Sequence, residues 1–315
     1  GTGHPRSLGL AQPVADFVLH RPSREHHDQI QECITAALKT CGDIATGDMA
    51  RVQRALAKFG TPRTPAKEKD AEKVAEIMGV IAGHDDKDGT SLKNDTYDYS
   101  ITDVKGKKVA LNKYLLDKAD DETKAKVLAF ADSLRANGVE VTEINCEMPE
   151  IANTAWQILM CAETCNNVSR YDGVKFGHRA KEYKNIDELY VNSRTEGFNF
   201  LTKAVILYGS DVLSKNRYKD CYDKSLRVRR VIAEKFEELM KNYDAVLTPV
   251  CSKTAYGEYN IKDAFGKVFE ESVFTAVANL TGTPALVSGG VQLMGKHFSE
   301  STLLSLAGAV EKEVK

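Results

Sequence analysis

Apolar residues recur at helical spacing through the first part of the chain. After Pro22 and an N-cap at Ser23, Ile30, Ile34, Ala37 and Leu38 share one face of a segment closed by Gly42. This predicts an amphipathic helix over Arg24–Thr40. The same logic repeats over Asp48–Phe59, and Thr61–Pro65 (TPRTP) then breaks the pattern as a linker. Residues 1–65 therefore read as a helical N-terminal segment and 66–315 as a second domain.

From Gly106 the period changes. KKVALNK (107–113) reads as a short buried strand, 120–138 as a helix closed by a glycine, and VEVTEIN (139–145) as the next strand. Strand, helix and strand in that order form a βαβ unit and argue for parallel pairing. A long helix over 225–243 leads into YDAVLTPV (243–250), another buried strand. Gly289-Gly290 separates two apolar runs in PALVSGGVQLMG (284–295), the composition that a two-residue hairpin prefers. The expected class is α/β: a mixed, mostly parallel sheet flanked by helices, preceded by the helical N-terminal segment.

Composition narrows the function classes. At 315 residues with 42% hydrophobic content, the chain can bury a real core. Forty-three basic against 45 acidic residues give a net charge of −2, with no long-range pull toward nucleic acid or an anionic membrane. No apolar run approaches the ~20 residues a membrane span needs. Seven scattered cysteines include no C-x-x-C pair, so reduced thiols in a cytoplasmic protein are the simplest reading. No charged-then-apolar leader opens the chain, which begins at Gly1 rather than Met and so reads as trimmed at its start.

Six stretches are recognisable in order: IAGHDDKDGTS (81–91), AETCNNVSRYDGVKFGHRA (162–180), SRTEGFN (193–199), ILYGSDVLS (206–214), YDAVLTPV (243–250) and ANLTGTPAL (278–286). Together they resemble the amidase signature family, and within it the branch of glutamine-dependent tRNA amidotransferase A subunits. The resemblance runs from about Lys73 onward and corresponds to the back half of a family member.

The resemblance implies a Ser-Ser-Lys triad, with serines in and after a glycine- and serine-rich loop of the front half. That chemistry needs an activated hydroxyl and backbone N–H groups to hold an oxyanion. No Ser-Ser dipeptide occurs in the 315 residues, and the Ser-Gly-Gly at 288–290 falls in the C-terminal hairpin. The resemblance therefore assigns no catalytic residue here. Its branch also implies an arginine in a basic pair for the glutamine carboxylate, where this chain has Ala204 and Val205. It implies an acidic residue for the amino group, where Ser272 stands, with Lys203, Glu270 and Glu271 nearby. Tyr171 matches a tyrosine that borders the substrate pocket. Tyr171 and Ser272 are thus the vestigial substrate-binding positions, while Arg170, Asp172 and Arg179 read as a structural motif tying a helix end to a loop through ion pairs.

Other candidates carry blander readings. Cys161 and Cys165 share a helix face and read as small buried residues. His26, His27, Cys33 and Cys41 match no standard zinc spacing. Lys224, Arg227, Arg229 and Arg230 read as a solvated helix face balanced by Glu234, Glu237 and Glu238, and Asp85, Asp86, Asp88 and Glu196 as turn caps. Gly1-Thr2-Gly3 precedes no strand-turn-helix and is no phosphate loop. No metal or cofactor is expected.

Half of such a fold would leave strand edges and apolar surface open. The expected cover is the two N-terminal helices, a second protein chain, or another copy of this one. Two functions follow: a degenerate, catalytically incompetent scaffold that binds a protein or small molecule, or a subunit or fragment of a tRNA amidotransferase completed by a partner.

Overall fold

The computed structural model describes residues 70–93, 96–253 and 261–313. The chain divides at 68/69, and all described residues lie in the C-terminal unit. The expected helices Arg24–Thr40 and Asp48–Phe59, the linker Thr61–Pro65 and the His26/His27/Cys33/Cys41 group fall outside them.

Five strands form one sheet: β1 (Lys108–Asn112), β2 (Glu140–Ile144), β3 (Ala245–Pro249), β4 (Ala285–Ser288) and β5 (Val291–Gly295), in the order β2-β1-β3-β5-β4. The sheet is mixed: β1 pairs in parallel with β2 and β3, and β5 antiparallel with β3 and β4. Helices α1 (Asp70–Ile81), α2 (Lys113–Asp117), α3 (Asp121–Ala136), α4 (Met148–Val168), α5 (Ile186–Gly197), α6 (Phe200–Val212), α7 (Lys224–Met240), α8 (Ile261–Glu271), α9 (Ala276–Thr281) and α10 (Glu300–Glu313) flank it.

Strand alternation divides the core into two layers. Val109, Leu111, Leu247 and Leu293 point to one face and meet Val127, Phe130 and Leu134 of α3 and Leu303 and Leu306 of α10. Ala110, Val246 and Met294 point to the other, against Ala155 and Leu159 of α4, Ile232 and Phe236 of α7 and Leu280 of α9. Burial on both faces explains why β1 and β3 read as continuous apolar runs rather than alternating ones.

Local chemistry sets the ends. Asp120 caps α3 by accepting the Thr123 N–H at 2.8 Å, and Gly138 leaves that helix with φ +79°. Asn112 closes β1 against β2, its Oδ1 accepting from Cys146 N (3.2 Å) and its Nδ2 donating to Cys146 O (3.1 Å). The hairpin turns on Gly289 and Gly290, with φ +59° and +89°, as the primed turns require.

Candidate functional site

Helix α4 sets the stage. Its 21 residues run about 32 Å, and beyond Val168 the chain reverses through a strap, residues 169–185, into α5. The strap holds itself through its own polar groups. Asp172 Oδ1 accepts the N–H of Val174 at 2.8 Å and of Lys175 at 3.1 Å, and these donors hold its carboxyl below the usual carboxylate range. Gly173 N donates to Phe176 O at 3.1 Å. Gly173 has φ +80°, and a Cβ there would sit 2.6 Å from Ser193 Cβ and 3.0 Å from His178 O. Both the backbone angle and the room demand glycine.

Helix α5 clamps the strap from outside. Arg194 Nη1 donates to Val168 O (3.1 Å) and Tyr171 O (2.9 Å), tying the end of α4 to the strap. Buried Ser193 Oγ accepts the Ala180 N–H at 2.9 Å, and His178 Nε2 donates to Glu196 Oε2 at 2.6 Å. The expected tie through Arg170, Asp172 and Arg179 is thus corrected. Asp172 turns its Oδ1 to backbone donors, Arg179 donates to Tyr183 OH at 2.7 Å, Arg170 is exposed, and among the described residues no ion pair links the three. Arg194 does that work, together with Ser193, His178 and Glu196. Sequence reasoning misses Arg194 because its partners are carbonyls 23 and 26 residues away.

The two substrate-wall positions rest on different supports. Tyr171 is 44% exposed beside Gly177, where a Cβ would lie 3.2 Å from its ring. Ser272 opens a 3-10 turn (Ser272–Phe274) after α8, and its hydroxyl donates back to Val268 O at 2.6 Å. Helix α8 is anchored to the N-terminal half of α4, where Asn153 Nδ2 (2.9 Å) and Gln157 Nε2 (3.3 Å) donate to Phe269 O. Tyr171 lies beyond the other end of α4, so the structure does not bring it together with Ser272. Of the second expected pair, Val205 is buried in the contact of α6 with α4, while Ala204 is half-buried.

Beside α8, a crevice of about 570 Å³ opens near the carboxyl ends of β1 and β3, lined by Lys118, Glu150, Asn153, Gln157, Ser252 and Glu271. Crevices at this end of an α/β sheet are where such folds hold ligands. Lys118 and Glu150 pair at 2.7 Å, and Tyr114 OH donates to the same carboxylate at 2.8 Å. Lys118 foremost, then Tyr114, hold Glu150 below its ordinary range. Glu271 receives both the N–H (2.9 Å) and the hydroxyl (2.5 Å) of Ser252, a clamp on the loop after β3.

The remaining candidates are accounted for structurally. Cys161 is fully buried, and burial, then its neighbour Cys165, pushes its thiol up to about 11. Arg227 pairs with Asp223 (2.7 Å), Arg230 with Glu234 (2.8 Å), and Arg229 Nε donates to Leu280 O (2.9 Å). Lys224 and Arg227 also line a groove of about 770 Å³ between α7 and the start of α4. Asp88 caps Thr90 and Asp85 caps Lys87, each at 2.9 Å, as turn residues do. Among the described residues no group of three or more His, Cys, Asp or Glu could hold a metal ion, and no helix is long and apolar enough to cross a membrane.

Comparison with known proteins places this architecture. The family described as Amidase matches residues 68–304. The A subunit of glutamyl-tRNA(Gln) amidotransferase from Fusobacterium nucleatum is 36% identical over 78% of this chain and 53% of that protein. The crystal structure of the corresponding protein from Thermotoga maritima aligns with a TM-score of 0.52 at 24% identity, over 77% of this chain and 50% of that one. A bacterial aryl acylamidase aligns at 0.58 with 15% identity, over 77% and 51%. These two structural likenesses speak to fold alone. The chain spans about half the length of the curated relatives it matches.

Proposed function

This chain belongs to the amidase family, and from that premise we propose that it forms the back half of an amidotransferase A subunit. It supplies the outer wall of the substrate site, and residues outside these 315 supply the nucleophile. The observation that carries the reading is the 36% identity to the Fusobacterium glutamyl-tRNA(Gln) amidotransferase protein over 53% of its length. The strap gives it physical content, since Asp172, Gly173, Ser193 and Arg194 hold Tyr171 at a fixed, partly exposed position.

On this reading the chain by itself hydrolyses no amide. Conversion of glutamyl-tRNA(Gln), the substrate in the relative's name, requires the complementary half and any further partner chains. With a net charge of −2, this chain contributes little to holding tRNA. Its place is the cytoplasm, with the charged tRNA.

A second reading is a binding scaffold that has left catalysis. It is favoured by Ala204, Val205 and Ser272, which stand where the resemblance implies an arginine and an acid. Glutaminase assays with a fluorophosphonate probe separate the two. The first reading expects no turnover or labelling by the chain alone, and glutamine hydrolysis when it is co-expressed with the unmatched portion of the Fusobacterium protein. Silence in both states leaves the scaffold. Labelling of the chain alone refutes both.

A further inference from the structure

We infer that the groove between α7 and the start of α4 seats an acidic amphipathic helix from a partner protein, a property separate from the reading just proposed. One wall is a single face of α7, whose lining residues recur at helical spacing from Lys224 to Leu239. At 1.5 Å per residue that face runs about 22 Å, room for about four turns of a second helix. The other wall is the passage from β2 into α4, with Met148 and Ile151 in the first turn of the helix.

Floor and rim differ in chemistry. Met148, Ile151, Val228, Val231, Ile232 and Leu239 make the floor apolar, and two of them stand open: Ile151 is 59% and Val231 50% exposed. Lys224, Arg227 and Lys235 follow the α7 side. Among the described residues Lys224 and Lys235 form no ion pair, and Arg227 meets Asp223 at 2.7 Å in an exposed pair that binds it weakly. Acids of α7 are engaged elsewhere, Glu234 with Arg230 and Glu238 with Lys241. Glu147 is the one acid among the described residues that line the groove. No side chain caps the α4 N-terminus beside it, and the partial positive charge there adds to that of the three cations.

The occupant follows from this pairing. An apolar floor that runs along a helix takes a second helix with apolar side chains at every third or fourth position, the helix-in-groove mode of recognition. A cationic rim selects acids on the flanks of that helix and rejects lysines. Nothing aromatic lines the groove, so it offers the bases of a single strand no face on which to stack. An acidic helix fits floor and rim, whereas RNA fits the rim alone.

The probe is a fluorescein-labelled peptide of about 18 residues, long enough to hold a helix in water, with leucine at every third or fourth position and glutamate on both flanks. It is titrated into the full chain and followed by fluorescence anisotropy, beside a lysine-for-glutamate counterpart and a version with two central prolines. The acidic helix should bind at least ten-fold tighter than either, and more weakly as salt rises. Val231→Asp should weaken it at least ten-fold, as should Lys224→Glu combined with Lys235→Glu, while Leu128→Asp on α3 leaves it unchanged. Should Val231→Asp lower the melting temperature, the wild-type chain decides: bound peptide must slow alkylation of Cys146, which lines the groove, and not that of Cys165 near the far end of α4. Binding indifferent to these substitutions overturns the inference, as does equal binding of the lysine or proline peptide, or no saturable binding at all. Tighter binding of poly(U) or of laurate than of the acidic peptide makes the occupant a nucleic acid or an acyl anion and also overturns it.

Discussion

Glycine-to-alanine changes in two helices of this protein should have opposite signs. Gly209 lies where α6 crosses α4, and a Cβ there would sit 2.7 Å from both the Cys161 carbonyl carbon and Cys165 Cβ. Carbon atoms pack best at about 3.5–4.0 Å, so the helices must part by roughly 1 Å. Because Cys161 presents backbone rather than a flexible side-chain end, the cost belongs in the upper part of the ~1–3 kcal/mol range for overpacking. Against it stands about 1 kcal/mol gained by replacing a helical glycine with alanine. The net is a loss of ~1–2 kcal/mol. Gly266, inside α8, has nothing within 4 Å of its would-be Cβ, so alanine there should keep the whole gain. At about 2–4 °C per kcal/mol for a domain of 150–250 residues, Gly209→Ala should melt ~2–8 °C below wild type and Gly266→Ala ~2–4 °C above. Urea titrations followed by circular dichroism give the free energies directly. If Gly209→Ala were as stable as wild type or more so, the close crossing of α4 and α6 would be wrong.

Gly173→Ala should unseat the strap without unfolding the sheet, since it forces a left-handed residue against Ser193. Amide exchange at Ala180 and Val174 should accelerate at least ten-fold while that of β3 stays unchanged, and equal acceleration of both would contradict the local clamp. Tyr222 donates to Glu163 at 2.5 Å, and this bond, then burial, pushes its phenol up to about 12 from an ordinary value near 10. Its folded pKa is raised, so the stabilisation is complete below about pH 10 and is lost as pH climbs toward 12. Tyr222→Phe should flatten that part of the stability profile, and an unchanged slope would remove the tyrosine from it. Glu150 has the opposite sign. Lys118 and Tyr114 depress its pKa, so its contribution is present above about pH 4.5 and fades below. Lys118→Met should weaken the acid dependence of unfolding, and a profile identical to wild type would show that the exposed pair contributes nothing.

Regular elements are legible where local chemistry decides them. The βαβ unit over 107–145 and the Gly-Gly hairpin are present with ends shifted by a residue or two, because burial, a glycine C-cap and a primed turn each leave a mark in sequence. The strap is legible as a density of hydrogen-bonding groups, but its wiring is not. Opposite charges at Arg170, Asp172 and Arg179 suggest ion pairs, whereas backbone N–H groups reach Asp172 first. The need for glycine at 173 becomes visible only when Ser193, twenty residues on, is folded against it. Spacing alone places Cys161 and Cys165 on one face, but the glycine pressed against them comes from another helix.

The three altered positions of the expected glutamine site acquire a physical meaning from their surroundings. Val205 sits in the buried contact with α4, where an arginine would bring an uncompensated charge into apolar packing. Ala204 is half-buried on α6, where a long side chain could still carry its charge to water. Ser272 turns its hydroxyl back to Val268 O, a local bond that an aspartate could not donate. The neighbouring charges are already engaged: Lys203 on Thr195 O, Glu270 with Lys267 at 3.0 Å, and Glu271 on Ser252. Each would have to leave these partners to meet a ligand, so a shift of the sequence register by one residue reaches only charges that this fold already holds.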